Sequence, residues 1–254
     1  METITKVNEQ KEENIEEEYH VVISKYDSLK TFFKALAIFA VWMAFTFLLE
    51  GMLLTLQRPE AVINRLLYTV ITNIIIGTVI ALYFVRYNHQ QENIDRKKFG
   101  FRRPTYTVLA VVFGFILGLI LYIVQNPPTL NPIVIVNAYA QVLVVTIAEI
   151  IICWVIMGSI TEHVSKGRFG DKGSKIIAVL VSSILFGIYH FAHSPPFNTV
   201  NMVLLLTVIG IITSVFYFTV RDVYATIVFH NFLGIFGVIN ALQASGNLKI
   251  YTAP

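Results

Sequence analysis

One acidic side chain and two imidazoles stand in otherwise apolar stretches of this chain. Glu149 lies within Val142–Met157, a run with no other charged residue, and His190 and His230 lie in two later apolar runs. An ionised glutamate at the centre of a bilayer costs roughly 2.5 kcal/mol or more, so an acid in such a run indicates a functional site by default. A carboxylate and two imidazoles can activate a water molecule as general acid and base, or can hold a metal ion.

Each of these residues also has a purely structural interpretation. Glu149 can remain protonated and hydrogen-bond to a neighbouring helix, because burial favours the neutral carboxyl. A single histidine on a helix is commonly a packing residue, and His193, just before Pro195, is expected to be a water-exposed residue at a helix end. Glu50 is expected near the outer membrane interface, where its carboxylate can reach water.

The composition identifies the class of protein in which these residues sit. The chain has 254 residues, of which 56% are hydrophobic and 14% are charged. A soluble domain carries about 25% charged residues, so an integral membrane protein is expected. The formal net charge is only +3, and no basic patch is interleaved with aromatic residues, so a nucleic-acid partner is not expected. The single cysteine, Cys153, excludes an intrachain disulfide.

The apolar stretches predict an all-α, polytopic membrane helical bundle of about seven transmembrane helices, since roughly 20 apolar residues cross a bilayer. They are placed at Thr31–Thr55, Leu66–Phe84, Thr105–Val124, Ile133–Ile160, Ile176–His193, Asn201–Val220 and Val223–Leu242. With the amino terminus inside, all Lys and Arg residues except Arg58, Arg65 and Lys249 lie on the cytoplasmic side. This asymmetry predicts a multi-pass protein of the cell membrane with its amino terminus in the cytoplasm and its carboxy terminus outside.

Four regions are predicted along the chain. Residues 1–30 form an acidic cytoplasmic tail without the features of a cleavable signal peptide. Residues 31–98 hold two transmembrane helices and a basic loop, residues 99–242 form the membrane core, and residues 243–254 form a short tail. Within the core, Gly114 and Gly118 make a G-x-x-x-G pair, which predicts close packing of the third span on another helix.

The predicted boundaries argue against a shared site for the three polar residues. At 1.5 Å per residue, Glu149 lies roughly 16 Å from the inner end of its span, His230 roughly 10 Å and His190 roughly 21 Å. These depths converge only if the fifth span begins above the membrane or the helices tilt. Asn231 follows His230 and points about 100° away from it on a helix, so it is expected to join helices.

The order and spacing of these residues resemble the CPBP family of CAAX proteases and bacteriocin-processing enzymes, over roughly residues 99–242. The family pattern is E-E-x-x-x-R on one helix, F-x-x-x-H on the next and H-x-x-x-N on a later one. The second motif is intact, as Phe186-Gly-Ile-Tyr-His190. In the first, Ala148 and Cys153 replace the first Glu and the Arg, and in the third, Gly234 replaces the Asn that follows His230.

The resemblance implies an intramembrane endopeptidase with the CPBP-type core. In such an enzyme a Glu and the F-x-x-x-H histidine activate water, and the second histidine and the Asn stabilise the oxyanion. The implied catalytic residues are Glu149, His190 and His230, with Phe186, Asn231 and Cys153 at supporting positions. His190 would orient the water, His230 would be an oxyanion donor, and Glu149 would brace the site because Ala148 leaves the usual base vacant.

Two functions therefore stay open at this point. The chain is either an endopeptidase that hydrolyses peptide bonds at the membrane at a reduced rate, or an inactive relative that acts as an immunity, regulatory or scaffolding partner. A small transporter with Glu149 as its ion site is a third and weaker hypothesis, since no inverted repeat is visible. No cofactor is expected, although Glu149, His190 and His230 would suit a zinc ion. The expected partners are the lipid bilayer and a peptide or membrane protein, and the oligomeric state is left open.

Overall fold

The computed structural model describes residues 28–55, 58, 60–91 and 95–244, and every regular element among them is a helix. We number the helices α1 (Ser28–Gly51), α2 (Val62–Gln90), α3 (Pro104–Val124), α4 (Pro132–Glu149), α5 (Ser159–Tyr189), α6 (Val200–Val220) and α7 (Val223–Ala244). Most of the two predicted tails, residues 1–30 and 243–254, lies outside the described residues.

Six helices among the described residues are long and apolar enough to cross a membrane. The longest, Pro132–Ala192, contains both the fourth and the fifth predicted span. It reverses at Gly170, whose φ of 66° and ψ of −177° are not helical and belong to a region that is essentially reserved for glycine. The fold is therefore the predicted all-α polytopic bundle, but two of its seven predicted spans are the arms of one bent helix.

Within the described part of the chain, three segments are wound as wider π-helical turns. They are Phe47–Gly51 at the end of α1, Tyr68–Ile80 within α2 and Ile150–Gly158, which joins α4 to α5. Short π-helical insertions often occur at functional sites. Here each segment either carries or directly follows a buried polar side chain, namely Glu50, Asn73 and Glu149.

Local capping interactions explain where several helices begin. Pro132 occupies the first turn of α4, and the Asn131 side chain accepts a hydrogen bond from the Ile133 amide at 3.0 Å. Asp222 does the same for α7 by accepting from the Ala225 amide at 2.9 Å. Such caps satisfy amide groups that have no partner within the helix.

The G-x-x-x-G pair brings α3 against α7, as predicted. A Cβ atom on Gly114 would lie 2.6 Å from the Ala225 carbonyl oxygen, and one on Gly118 would lie 2.7 Å from a ring carbon of Phe232. Real Cβ atoms do not approach so closely, so only glycine permits this helix contact. The contact matters for the site because α7 carries His230.

Arg221 ties together one end of the bundle. It ends α6 in a left-handed conformation, with φ of 55°. Its guanidinium pairs with the Glu162 carboxylate of α5 and donates to the Lys98 carbonyl at 2.9 Å. These contacts fix the start of α7 relative to the bent helix.

Candidate functional site

Glu149, His190 and His230 meet in the interior of the bundle. Glu149 ends α4, His190 directly follows α5, and His230 lies in the first half of α7. Glu149 Oε1 lies 3.7 Å from His190 Nε2, and Glu149 Oε2 lies 3.5 Å from His230 Nε2. The three residues are 6%, 7% and 2% exposed. One carboxylate thus faces both imidazoles in a place shielded from solvent.

Glu149 and His190 were predicted at different depths in the membrane, but the structure brings them to the same level. The region between the fourth and fifth predicted spans is helical up to Gly170 and again beyond it. Glu149 and His190 are nearly equidistant in sequence from this reversal, so the two arms bring them to the same level. The predicted helix ends were wrong because polar residues that flank Gly170 extend the helix beyond its apolar part.

The ring of His190 is fixed by its own helix. Its Nδ1 lies 2.8 Å from the Phe186 carbonyl oxygen, which can only accept a hydrogen bond. Nδ1 therefore carries a hydrogen, and in the neutral ring Nε2 presents a lone pair toward Glu149. The F-x-x-x-H spacing has a direct physical meaning here, because residues four apart on a helix bring this carbonyl and ring together.

Thr213 of α6 fixes His230 in a similar way. Its hydroxyl lies 2.7 Å from His230 Nδ1 and donates to the Ile209 carbonyl at 3.0 Å. A hydroxyl has one hydrogen, so with that hydrogen on Ile209 the Thr213 oxygen accepts from Nδ1. The Nε2 atom of His230 then faces Glu149, as the Nε2 atom of His190 does. Thr213 was not identified from the sequence, where nothing distinguishes it from other threonines on apolar helices.

With both Nδ1 atoms donating, the two Nε2 lone pairs face the Glu149 carboxylate oxygens, and all of these atoms are acceptors. Distances of 3.5 and 3.7 Å exceed those of direct hydrogen bonds, which are about 2.7–3.2 Å for nitrogen and oxygen. Polar atoms separated in this way are commonly bridged by water. A water molecule here would donate to the carboxylate or to an Nε2 lone pair, and its oxygen would become more nucleophilic.

A metal ion fits this arrangement less well. In both rings Nδ1 donates to a second group and Nε2 carries the lone pair, which is typical of metal-binding histidines. However, no group of three or more His, Cys, Asp or Glu side chains in the described part of the chain is arranged to hold a metal ion.

Aromatic side chains enclose the two imidazoles. The Phe186 ring centroid lies 4.7 Å from that of His190 and 5.1 Å from that of His230. Trp154 lies 5.3 Å from His230, and its indole N–H donates to the Ser214 hydroxyl at 2.7 Å. The rings restrict access of bulk water and hold the histidines in place.

The replaced motif positions Ala148 and Cys153 are both buried in the packed interior. Ala148 packs against Gly77 of α2, where an added Cβ would lie 2.5 Å from the Ala148 Cβ. Cys153 is a free, fully buried thiol in the main hydrophobic core. Neither position supplies a second carboxylate or a cation to the site.

The Asn231 side chain joins helices. Its amide donates to the Tyr139 carbonyl and accepts from the Thr146 hydroxyl, both at 3.0 Å. Both partners are on α4, so this amide is occupied away from the Nε2 atoms. Gly234 also packs on α4, close to Val142.

Two expectations about neighbouring residues were wrong. Glu50 is fully buried rather than interfacial, and its carboxylate accepts hydrogen bonds from the Ser194 amide and hydroxyl. His193 is 5% exposed rather than wet, and its ring is stacked on His190 with centroids 5.2 Å apart. The signal for Glu50 was present, since it is an acid in an apolar run like Glu149, but its position near a predicted helix end obscured it.

Comparison with known proteins gives a family match for part of the chain. Residues 131–236 match the family described as Rce1-like, type II CAAX prenyl endopeptidase Rce1-like. No curated protein and no solved structure matches the chain. The matched segment contains Glu149, His190 and His230, whereas Glu50 lies before it. Over residues 131–236 the chain is thus similar to the Rce1-like group of CPBP-family membrane proteins.

Proposed function

We propose that the protein is an intramembrane endopeptidase that hydrolyses peptide bonds with water activated between Glu149 and the two histidines. The observation that carries the proposal is the convergence of one carboxylate and two Nε2 atoms from the two arms of the bent helix and from α7. Both Nδ1 atoms are occupied elsewhere, so the reactive side of each ring faces Glu149. The Rce1-like match supports a protease of this type at the level of the family.

In the proposed reaction, water bound between Glu149 and His190 attacks the scissile carbonyl carbon. His190 Nε2 accepts a proton from this water, and the new carbon–oxygen bond produces a tetrahedral oxyanion. His230 donates a hydrogen bond to the oxyanion from Nε2, which requires the protonated ring when Nδ1 donates to Thr213. The Glu149 carboxylate balances that positive charge. The carbon–nitrogen bond then breaks, and His190 returns its proton to the leaving amine.

The test is cleavage by the full chain reconstituted in lipid vesicles. Peptides with apolar flanks, with and without a prenylated cysteine, are incubated with the vesicles, and products are identified by mass spectrometry. His190→Ala should lower the rate about 10²–10⁴-fold, the usual contribution of a general base. His89→Ala, at the end of α2, is the matched control. Specific cleavage that is unaffected by His190→Ala would disprove the role of this histidine.

A second candidate function is that of a non-catalytic membrane partner, as in immunity, regulation or scaffolding. The packing of Ala148 on Gly77 favours it, since α2 occupies the side from which a second carboxylate would come. In that case no peptide yields a product that depends on Glu149. The same vesicle assay therefore separates the two functions.

We further propose that the chain lies in the cell membrane with its amino terminus in the cytoplasm, as the charge asymmetry of the loops indicates. The only native cysteine is fully buried, so single cysteines can be introduced as reporters. Gly167→Cys should react with a membrane-impermeant thiol reagent only from the cytoplasmic side, and Asn198→Cys only from outside. The opposite pattern would reverse the topology.

A further inference from the structure

Glu50 of α1 contacts the turn that carries His190. Its side chain is fully buried at the end of α1. One carboxylate oxygen accepts from the Ser194 amide at 2.7 Å, and the other accepts from the Ser194 hydroxyl. Hydrogen bonds to an ionised acceptor are among the stronger ones in proteins.

Ser194 lies just after a short, tightly wound turn. His190–Ala192 form a single 3-10 turn, and the His193 amide donates to the His190 carbonyl at 3.1 Å. Gly51 presses on the same turn, since a Cβ there would lie 2.3 Å from the Ala192 carbonyl oxygen. The end of α1 therefore holds this turn by a buried acid and by close backbone contact.

The turn transmits this restraint to the catalytic ring through His193. The His193 ring is stacked on His190 at an interplanar angle of 22°, and its Nε2 lies 3.2 Å from the Tyr68 hydroxyl. Phe186 packs edge-on against His190 from its own helix. A shift of Ser194 would thus move the residue that stacks on His190.

We propose that Glu50 is a positioning residue for the hydrolytic site, holding the His190–Ser194 turn so that His190 Nε2 faces Glu149. This inference rests on the proposed function. It also assigns part of the site to a helix outside the segment that matches the Rce1-like family. In this role Glu50 acts through the turn that follows α5, and His190 performs the chemistry.

The activity test uses Glu50→Gln, Ser194→Ala and the double variant in the vesicle assay. Each single change should lower kcat about 10–100-fold and leave KM within about threefold, since small displacements of a reacting group can cost about 10²-fold. The loss in the double variant should be smaller than the product of the two single losses, because both changes weaken the same link between Glu50 and Ser194. Glu60→Gln, an exposed acid on the loop before α2, is the matched control.

Active-site titration and thermal unfolding distinguish positioning from general instability. A lower kcat per folded molecule supports the inference, whereas an unchanged kcat with fewer folded molecules overturns it. If Glu50→Gln does not fold, Ser194→Ala alone decides, because it removes only the hydroxyl contact.

A readout without activity separates this inference from the proposed function. In protein labelled with ¹⁵N-histidine in micelles, Glu50→Gln should shift the His190 and His193 ring signals and leave those of His89 unchanged. If the wild type cleaves no peptide, the proposed function fails, and the spectra still show whether Glu50 orders the turn. Unchanged His190 and His193 signals would refute the restraint itself.

Discussion

Glu149→Gln is the sharpest test of the chemistry, because it changes charge and almost nothing else. Glutamine keeps the length and planar end of the side chain but has only one acceptor oxygen. The Glu149 side chain is 8% exposed, and its two oxygens each face one imidazole. With an amide, one Nε2 atom faces an N–H group, and the balancing charge for a protonated His230 is lost.

The expected loss follows from the role of this carboxylate. Removal of a group that assists proton transfer lowers kcat about 10²–10⁴-fold. Since each factor of ten corresponds to about 1.4 kcal/mol, the barrier rises by about 3–5 kcal/mol. The folded state should not become less stable, because a neutral amide is easier to bury than a carboxylate. We therefore expect a melting temperature equal to or above that of the wild type.

Initial rates and thermal unfolding of the same vesicle preparations measure both quantities. Glu60→Gln reports the effect of losing an acid elsewhere. A Glu149→Gln protein with a rate within fivefold of the wild type would refute the assignment of Glu149 to the reaction. A large drop in melting temperature would instead show that the carboxylate mainly supports the fold.

Three further outcomes are expected. Thr213→Val removes the oxygen that fixes the His230 ring and should lower kcat about tenfold or more. Thr213→Ser keeps that oxygen and should retain most activity. Equal rates for the two variants would contradict this role of Thr213. Ala148→Glu should not restore a faster enzyme, because its side chain would overlap Gly77, and thermal unfolding should show a loss of about 1–3 kcal/mol from overpacking. Gly170→Ala should cost about 1–3 kcal/mol in unfolding measurements because of its backbone conformation. Gly167→Ala, with open space around it, should cost less, and equal effects would argue against strain at the reversal.

Much of the fold follows from local sequence. Apolar runs of sufficient length predicted the membrane helices, and the glycine pair at Gly114 and Gly118 predicted a close helix contact that the structure contains. The positions of the helix ends were harder to predict from the sequence. Around Gly170 the chain is polar but still helical, so hydropathy alone placed a loop there and gave His190 the wrong depth.

The residues of the site could be predicted only in part, for a different reason. Glu149, His190 and His230 stood out because charged or polar groups are costly in an apolar helix. Thr213 carries no such signal, since a single hydroxyl is inexpensive to bury when it bonds to its own helix. Ser194 carries none because serine is an ordinary residue in turns. Glu50 was misplaced because its partner is on a distant segment, and no local pattern encodes a contact between α1 and the turn after α5.

Helices α1 and α2 lie outside the segment that matches the family, yet they pack directly against it. The family segment begins at residue 131, yet Tyr189 within it stacks on Trp42 of α1 with ring centroids 3.6 Å apart. Ala148 within it is covered by Gly77 of α2, and Ser194 by Glu50. Transplanting the matched segment alone into another membrane protein would leave these three surfaces facing lipid. The two amino-terminal helices thus complete the packing of the matched segment, and substitutions in them can alter the site without any change within residues 131–236.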